Sequence, residues 1–297
     1  MGKRAYSVNN FTIPAQEALR QAIKSLQVAH VQSASLDARL LLLHVLGISN
    51  EQWIASPDIS MTSEQSALYD ALVVRRAARE PIAHIIGKRE FWSMDFKVTN
   101  ATLDPRADSE AVIEAILQRI PDKSAALSIL DLGTGTGCLL LTLLKELPNA
   151  KGIGIDLSHE AMAIAQENAL THGLSARVQF QQGNWCDGLY GAFDIIVSNP
   201  PYIPTASIKS LAPEVAQYEP KLALDGGFDG LDCYRKIISA LPGILTANGI
   251  AAFEVGAGQI QAVAEIAEEK GLQLEGMRKD MQGIPRCLLL KHFNHKD

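Results

Sequence analysis

The chain has 297 residues, 47% hydrophobic and 20% charged, and 27 basic against 33 acidic side chains give a formal net charge of −6. That length supports a substantial core and two domains in an ordinary globular protein. The acidic balance offers no bulk attraction to a polyanion, which argues against a dedicated nucleic-acid binder while leaving room for a local basic patch. Four scattered cysteines, Cys138, Cys186, Cys233 and Cys287, form no C-x-x-C pair and have no zinc spacing. They fit a reducing cytosol and predict no metal site. Met1 to Asn10 lacks the apolar segment of a secretory signal, and no apolar run reaches membrane-spanning length. The expectation is a cytoplasmic chain without a membrane partner.

Residues 14 to about 80 read as a helical bundle. Pro14 opens the first helix, in which Ala18, Ala22, Leu26 and Ala29 recur at helical spacing. Ser35 is positioned to cap a second helix that Gly47 stops, and a third starts at Ser63 and ends before Pro81. From Ile82 to Thr99 the pattern turns to β: Ile82 to Ile86 and Glu90 to Val98 are apolar segments separated by Gly87-Lys88-Arg89, consistent with a hairpin. The reading gives three parts: a helical domain at 1–81, a hairpin linker at 82–104 and a larger domain at 105–297.

After Pro121 strands and helices alternate, which predicts a mainly parallel sheet covered on both faces. Leu127 to Leu132 breaks into Gly133-Thr134-Gly135-Thr136-Gly137, and Gly152 to Ile155 ends in Asp156. A third strand leads to Trp185, and Phe193 to Val197 leads to Ser198-Asn199-Pro200-Pro201-Tyr202. A long loop then runs to Gly230. A helix from Leu231, a strand at Gly249 to Val255, a helix from Gln259 and two closing strands complete the order.

A glycine-rich turn between a first strand and a helix lets backbone approach a ligand closely, and an acid ending the second strand can accept both hydroxyls of a ribose. Gly133, Thr134, Gly135, Thr136 and Gly137 with Asp156 therefore point to an adenosine-bearing cofactor. The dinucleotide fingerprint needs a glycine where Cys138 stands, and Asp131 would repel a pyrophosphate but suit a cation. The pattern favours S-adenosylmethionine over NAD. Trp185 is placed to lie against an adenine.

Two prolines end the strand before Tyr202, because neither can donate to a sheet ladder, and Asn199 is held extended at its carboxyl end. The Asn199 side-chain oxygen and the Pro200 carbonyl can both accept hydrogen bonds from a planar NH2 group, with the Tyr202 ring stacked on it. Pro201 completes the rigid turn. No acid or base is evident near the Tyr202 ring, and no general base is evident at all.

These segments resemble the release-factor glutamine methyltransferases (HemK/PrmC) over nearly the whole chain. The resemblance is carried by Glu80 to Gly87 with Glu90-Phe91, Pro105-Arg106 to Glu110, Asp131 to Gly137, Asp156 and Asn199 to Tyr202. Glu214-Val215, Tyr218-Glu219-Pro220, Ala223 to Gly227, Asp229 to Leu231, Glu254-Val255-Gly256 and the Asp280 to Arg286 stretch extend it. The family commonly has Pro-Arg-Pro-Asp-Thr-Glu where this chain has Pro105 to Glu110, and Tyr at His84. Neither departure is expected to touch the cofactor loop or the tetrapeptide. The resemblance implies a class I S-adenosylmethionine-dependent methyltransferase, an α/β Rossmann-like fold with a small N-terminal helical bundle joined by a β-hairpin. The implied reaction methylates the glutamine N5 of the Gly-Gly-Gln motif in class I peptide chain release factors. In it Asn199, Pro200 and Tyr202 would be catalytic and, with Pro201, would bind the substrate, while the glycine loop, Asp156, Trp185 and Asn199 would hold the cofactor. Ribosomal protein L3 is the sister substrate. An adenine-N6 DNA methyltransferase is a rival, weakened by the acidity and by the lack of a basic recognition domain. No stable nucleic-acid partner is expected. A non-catalytic adaptor is the rival from outside enzymology, and the intact motifs oppose it.

Overall fold

A computed structural model of the protein describes residues 13–56 and 58–293, so the expectation placed on Met1 to Asn10 lies outside the described residues. The chain divides into two compact units between Ile86 and Gly87.

The first unit begins with β1 (Ile13–Pro14), followed by α1 (Ala15–Val28), α2 (Ala34–Leu46) and α3 (Asn50–Ala55). It continues with β2 (Ser60–Met61), α4 (Ser63–Ala77) and α5 (Ile82–Ile86). Ala15, Ala18, Ala22 and Leu26 form the buried stripe of α1, as the spacing predicted. Gly47 closes α2 in the left-handed conformation, φ +66°. Ser35 lies inside α2 rather than capping it; Ser33 precedes the helix and its hydroxyl donates to Asp37 Oδ2 at 2.7 Å. Helices α3 and α4 both open with reciprocal capping boxes, Ser49 with Gln52 and Thr62 with Gln65. A buried ion pair, Arg76 Nε to Asp37 Oδ2 at 2.7 Å, joins α4 to α2.

Two boundaries differ from the expectation. Ile82 to Ile86 is a helix, with Ala83 and Ile85 buried and the Ile85 amide donating to the Pro81 carbonyl at 3.1 Å. An apolar run of five carries too little periodicity to separate a strand from a helical turn. The hairpin is shorter, β3 (Lys88–Phe91) paired with β4 (Met94–Lys97). Its two-residue turn is Trp92-Ser93, with φ of +53° and +57°, the backbone of a primed hairpin turn without the usual glycine. The Trp92 amide donates to Glu110 and its indole N–H to Glu146 at 2.9 Å, which holds the turn. Phe91, Met94 and Phe96 enter the core of the second unit.

That unit then runs through α6 (Glu110–Leu117), β5 (Ser128–Leu132), α7 (Cys138–Glu146), β6 (Lys151–Asp156) and α8 (His159–Thr171). Next come β7 (Val178–Gln182), β8 (Phe193–Ser198), α9 (Pro213–Tyr218) and α10 (Asp232–Ile244). Strand β9 (Leu245–Glu254), α11 (Ile260–Glu268), β10 (Leu272–Lys279) and β11 (Pro285–His292) finish it. The seven strands lie in the order β10-β11-β9-β8-β5-β6-β7, and only the pairings of β11 are antiparallel. Alternate strand residues feed opposite faces. Ile129, Ile195, Val197 and Ala252 pack toward α6 and α7, while Leu130, Ile196 and Phe253 pack toward α10 and α11. Chain order reverses at β5, so the carboxyl ends of β5, β6 and β8 open onto the crevice where ligands of such sheets bind.

Candidate active site

The crevice is a cavity of about 500 Å³ whose wall includes Gly133 to Thr136, Asp156, Trp185, Asn199 and Pro201. Gly137, Pro200 and Tyr202 lie off that wall. Gly137 instead begins α7 with φ +80°, where a Cβ would come within 3.1 Å of Leu141. The loop needs its glycines: Gly133 and Gly135 also have positive φ, and a Cβ on Gly133 would meet the Trp185 ring at 3.2 Å. Trp185 thus covers the loop from the third strand's exit and faces the cavity.

The loop amides distinguish between the two candidate cofactors. Gly133 and Thr134 both donate to the Ile155 carbonyl, Gly135 to Asp156 Oδ2 at 2.8 Å, and Gly137 to the Thr134 carbonyl. These four donors are spent inside the protein and are not available to a pyrophosphate. Asp156 receives Gly135 on one oxygen and the Ser158 amide on the other, at 2.9 Å. Each carboxylate oxygen retains a second lone pair, which suits a ribose diol.

Asp131 sits beneath the loop, 1% exposed, rather than on the cavity wall. Thr134 donates to its Oδ2 at 2.7 Å, whereas Oδ1 is a buried oxygen without a hydrogen-bond partner among the described residues. The Leu140 amide is near enough to favour the charge but not in hydrogen-bond geometry. Burial pushes the carboxyl up to about 7, with the Asp156 charge adding to the shift. A neighbouring cation favours the charged form of such an acid and a phosphate opposes it, so the residues fit S-adenosylmethionine.

A consequence for stability follows from the sign of that shift. A carboxyl whose pKa is higher folded than unfolded costs nothing below the ordinary carboxylate range, and its penalty grows as pH rises from that range to about 7, above which it is complete. Asp131→Asn removes the penalty. Its cofactor-free melting temperature is expected to rise by about 2–5 °C at pH 8 and much less at about pH 4, near the ordinary carboxylate value. Scanning calorimetry at the two pH values checks this, and an equal gain at both would show that Asp131 does not titrate there.

The tetrapeptide is clamped from behind. Gly226 donates to the Ile203 carbonyl at 2.9 Å, and Ile203 donates to the Leu224 carbonyl at 3.1 Å. A Cβ on Gly226 would stand 2.9 Å from the Pro201 carbonyl oxygen, and one on Gly230 2.4 Å from the Tyr202 oxygen. Only glycine permits this backbone contact at Gly226 and Gly230, while Gly227 has φ +88° and lies against the Asp232 side chain. Gln259 donates to the Tyr202 carbonyl at 3.0 Å. The remainder of the loop is pinned by Glu219, which is buried, pairs with Arg106 at 3.0 Å through Oε1 and accepts from the Asp104 amide on Oε2. Burial raises Glu219 to about 7 against the pull of Arg106.

Two expectations are corrected here. An acid does lie beside the Tyr202 ring: its hydroxyl donates to Glu254 Oε1 at 3.2 Å. And the Pro105 to Glu110 departure does touch the tetrapeptide, because Asn199 Nδ2 donates to Ser109 Oγ at 3.3 Å. Ser109 in turn donates to Glu254 Oε2. Neither Ser109 nor Glu254 was singled out as a site residue; both sat in motif stretches without a role. Asn199 Oδ1 and the Pro200 carbonyl accept no hydrogen bond from any described residue.

The fold and this cavity define the class, a methyltransferase. Residues 17–87 match the PrmC N-terminal domain, and residues 123–271 match a methyltransferase domain. The release factor glutamine methyltransferase of Rhodospirillum rubrum is 45% identical over 266 residues, covering 90% of this chain and 81% of that one. Its counterpart in Caulobacter vibrioides is 40% identical over 279 residues, covering 94% and 96%. A solved structure, the hMettl16 catalytic domain in complex with MAT2A 3'UTR hairpin 1, superposes with a TM-score of 0.55 at 13% identity, over 75% of this chain and 82% of that one. It shares the fold. The chain belongs to the release factor glutamine methyltransferase family, and its methyl donor is S-adenosylmethionine. Among the described residues no helix is long and apolar enough to cross a membrane.

Proposed function

We propose that this chain methylates N5 of the glutamine in the Gly-Gly-Gln motif of class I peptide chain release factors, in the cytoplasm where translation ends. The observation that carries the reading is the pair of acceptors at the end of β8. Asn199 Oδ1 and the Pro200 carbonyl are unengaged by the described residues and stand on a backbone clamped at Gly226 and Gly230.

S-adenosylmethionine supplies a methyl group on a sulfonium, activated for displacement. The chain's residues do the rest. An amide nitrogen is a poor nucleophile because its lone pair is delocalised into the carbonyl. Two acceptors on its two N–H groups fix the nitrogen in space and shift electron density onto it, so positioning and electrostatics carry the rate. Tyr202 bounds the amide. Burial and the neighbouring Glu254 hold its phenol well above the usual range, so it stays a protonated donor to that carboxylate. The nitrogen gains one methyl carbon and releases one proton to solvent. The helical unit, the hairpin and the 203–230 loop are the surfaces on which we expect the release factor to dock.

The test is transfer of labelled methyl to three acceptors: a class I release factor, the same factor with its Gly-Gly-Gln glutamine replaced, and ribosomal protein L3. Label on the intact factor alone is the expected result. Label on L3 alone would move the assignment to the sister substrate, and label on the glutamine-replaced factor would overturn the choice of atom.

A further inference from the structure

The amide of Asn199 has two ends of nearly equal shape, and only one of them serves the reaction. If the carbonyl oxygen faces the substrate it accepts from the glutamine NH2; if the NH2 faces it, donor meets donor. Shape cannot choose between these, so hydrogen bonds must.

The structure contains the selector. Glu254 closes β9, 1% exposed, with its backbone laddered to Cys287 of β11 and its carbonyl accepting the Tyr234 hydroxyl at 2.8 Å. Its carboxylate accepts from Tyr202 on Oε1 and from Ser109 on Oε2. A serine hydroxyl has a single hydrogen. Ser109 spends it on Glu254 and is left able only to accept from its other neighbour. That neighbour is Asn199 Nδ2, at 3.3 Å, so the NH2 end is drawn inward and Oδ1 is turned out.

We propose that Ser109 and Glu254 are positioning residues that set the amide orientation of Asn199 through this relay, while the same carboxylate anchors Tyr202. The inference rests on the reading that Asn199 grips the substrate amide. Neither residue acts on the reacting atoms. The arrangement works because a carboxylate is an acceptor only: burial pushes the Glu254 carboxyl up, while the two hydroxyls that donate to it and the Arg286 charge favour its ionised form. Both groups are 2% exposed or less, which strengthens these bonds.

The experiment compares Ser109→Ala, Ser109→Thr and Glu254→Gln with the wild type. Readouts are kcat and KM for methyl transfer to a class I release factor, S-adenosylmethionine affinity by titration calorimetry, and the melting temperature. Wild-type labelling of the factor is established first, so failure of the functional reading is seen separately from failure of the relay. Ser109→Ala is expected to lose about 10- to 100-fold in kcat, with cofactor affinity within about twofold: an untethered amide samples both orientations, which costs about twofold, and it drifts from the aligned position, which costs the rest. Ser109→Thr, which restores the hydroxyl, is expected to recover most of the rate. Glu254→Gln presents an NH2 to one of the two hydroxyls and is expected to fall with Ser109→Ala. Wild-type kcat in Ser109→Ala would overturn the proposal. So would a loss of cofactor affinity as large as the loss of rate, since Ser109 also lines the cavity. Equal slowness of a stably folded Ser109→Thr variant would do the same.

Discussion

Asn199→Ala is expected to slow methyl transfer by about 10²–10³-fold, the range seen when one preorganised hydrogen bond at a reacting centre is removed. The fold should survive the change. Asn199 is only half-buried, its one side-chain hydrogen bond among the described residues is the 3.3 Å bond to Ser109, and the strand before it is held by β5 and β9 on either side. Pro200 and Pro201 keep the turn rigid without the side chain. On the proposed reading, what disappears is one of two acceptors for the substrate amide, and with it the tether that would hold the nitrogen in line. The Pro200 carbonyl remains, so the loss should be large without being total. Single-turnover transfer to a release factor, with calorimetric cofactor binding alongside, separates the effects. A variant that transfers at the wild-type rate would remove Asn199 from the mechanism.

Asp156→Ala is expected to weaken S-adenosylmethionine binding by about 10- to 100-fold, with a smaller effect on the rate at saturating cofactor. The side chain has two tasks. Its oxygens hold the Gly135 and Ser158 amides at 2.8 and 2.9 Å, which fixes the glycine loop over the cavity. Their spare lone pairs face the cavity, where a ribose diol would donate to them. Losing the charge-assisted pair costs about 2–3 kcal/mol, and 1.4 kcal/mol is one factor of ten in affinity. Asp156→Asn refines the test, since it keeps one acceptor and points an NH2 at one of the two amides. It is expected to bind cofactor nearly as poorly as the alanine variant. Calorimetric affinity unchanged in both would remove Asp156 from the cofactor site.

Much of the architecture was legible because its signals are local. Alternating apolar strands and helices after Pro121 predicted a parallel sheet, and the strands begin and end within a few residues of expectation. The glycine loop, Asp156 and the tetrapeptide were legible for the same reason: each is a short stretch whose chemistry is written in neighbouring residues. Helix α3 was not anticipated, although its Ser49-x-x-Gln52 capping box is a readable start signal. The hairpin turn carried no such signal. Trp92 and Ser93 adopt positive φ without glycine, a conformation held by Glu110 and Glu146 from α6 and α7 rather than by the turn's own composition.

The sequence by itself determined the succession of the seven sheet strands after Pro121, the carbonyl-rich turn after β8 and the type of cofactor, since these depend on residue spacing and on backbone freedoms that glycine and proline confer locally. Only the tertiary structure decided which way that turn's amide points. Ser109 and Glu254 are 145 residues apart, and the hydrogen that passes between them exists only once β9 lies beside β8 and the segment leading into α6 closes over both. The same holds for Asp131, an ordinary acid in the sequence whose burial beneath the loop lifts its carboxyl to about 7. Desolvation and hydrogen-bond direction belong to an assembled site, so they enter with the fold.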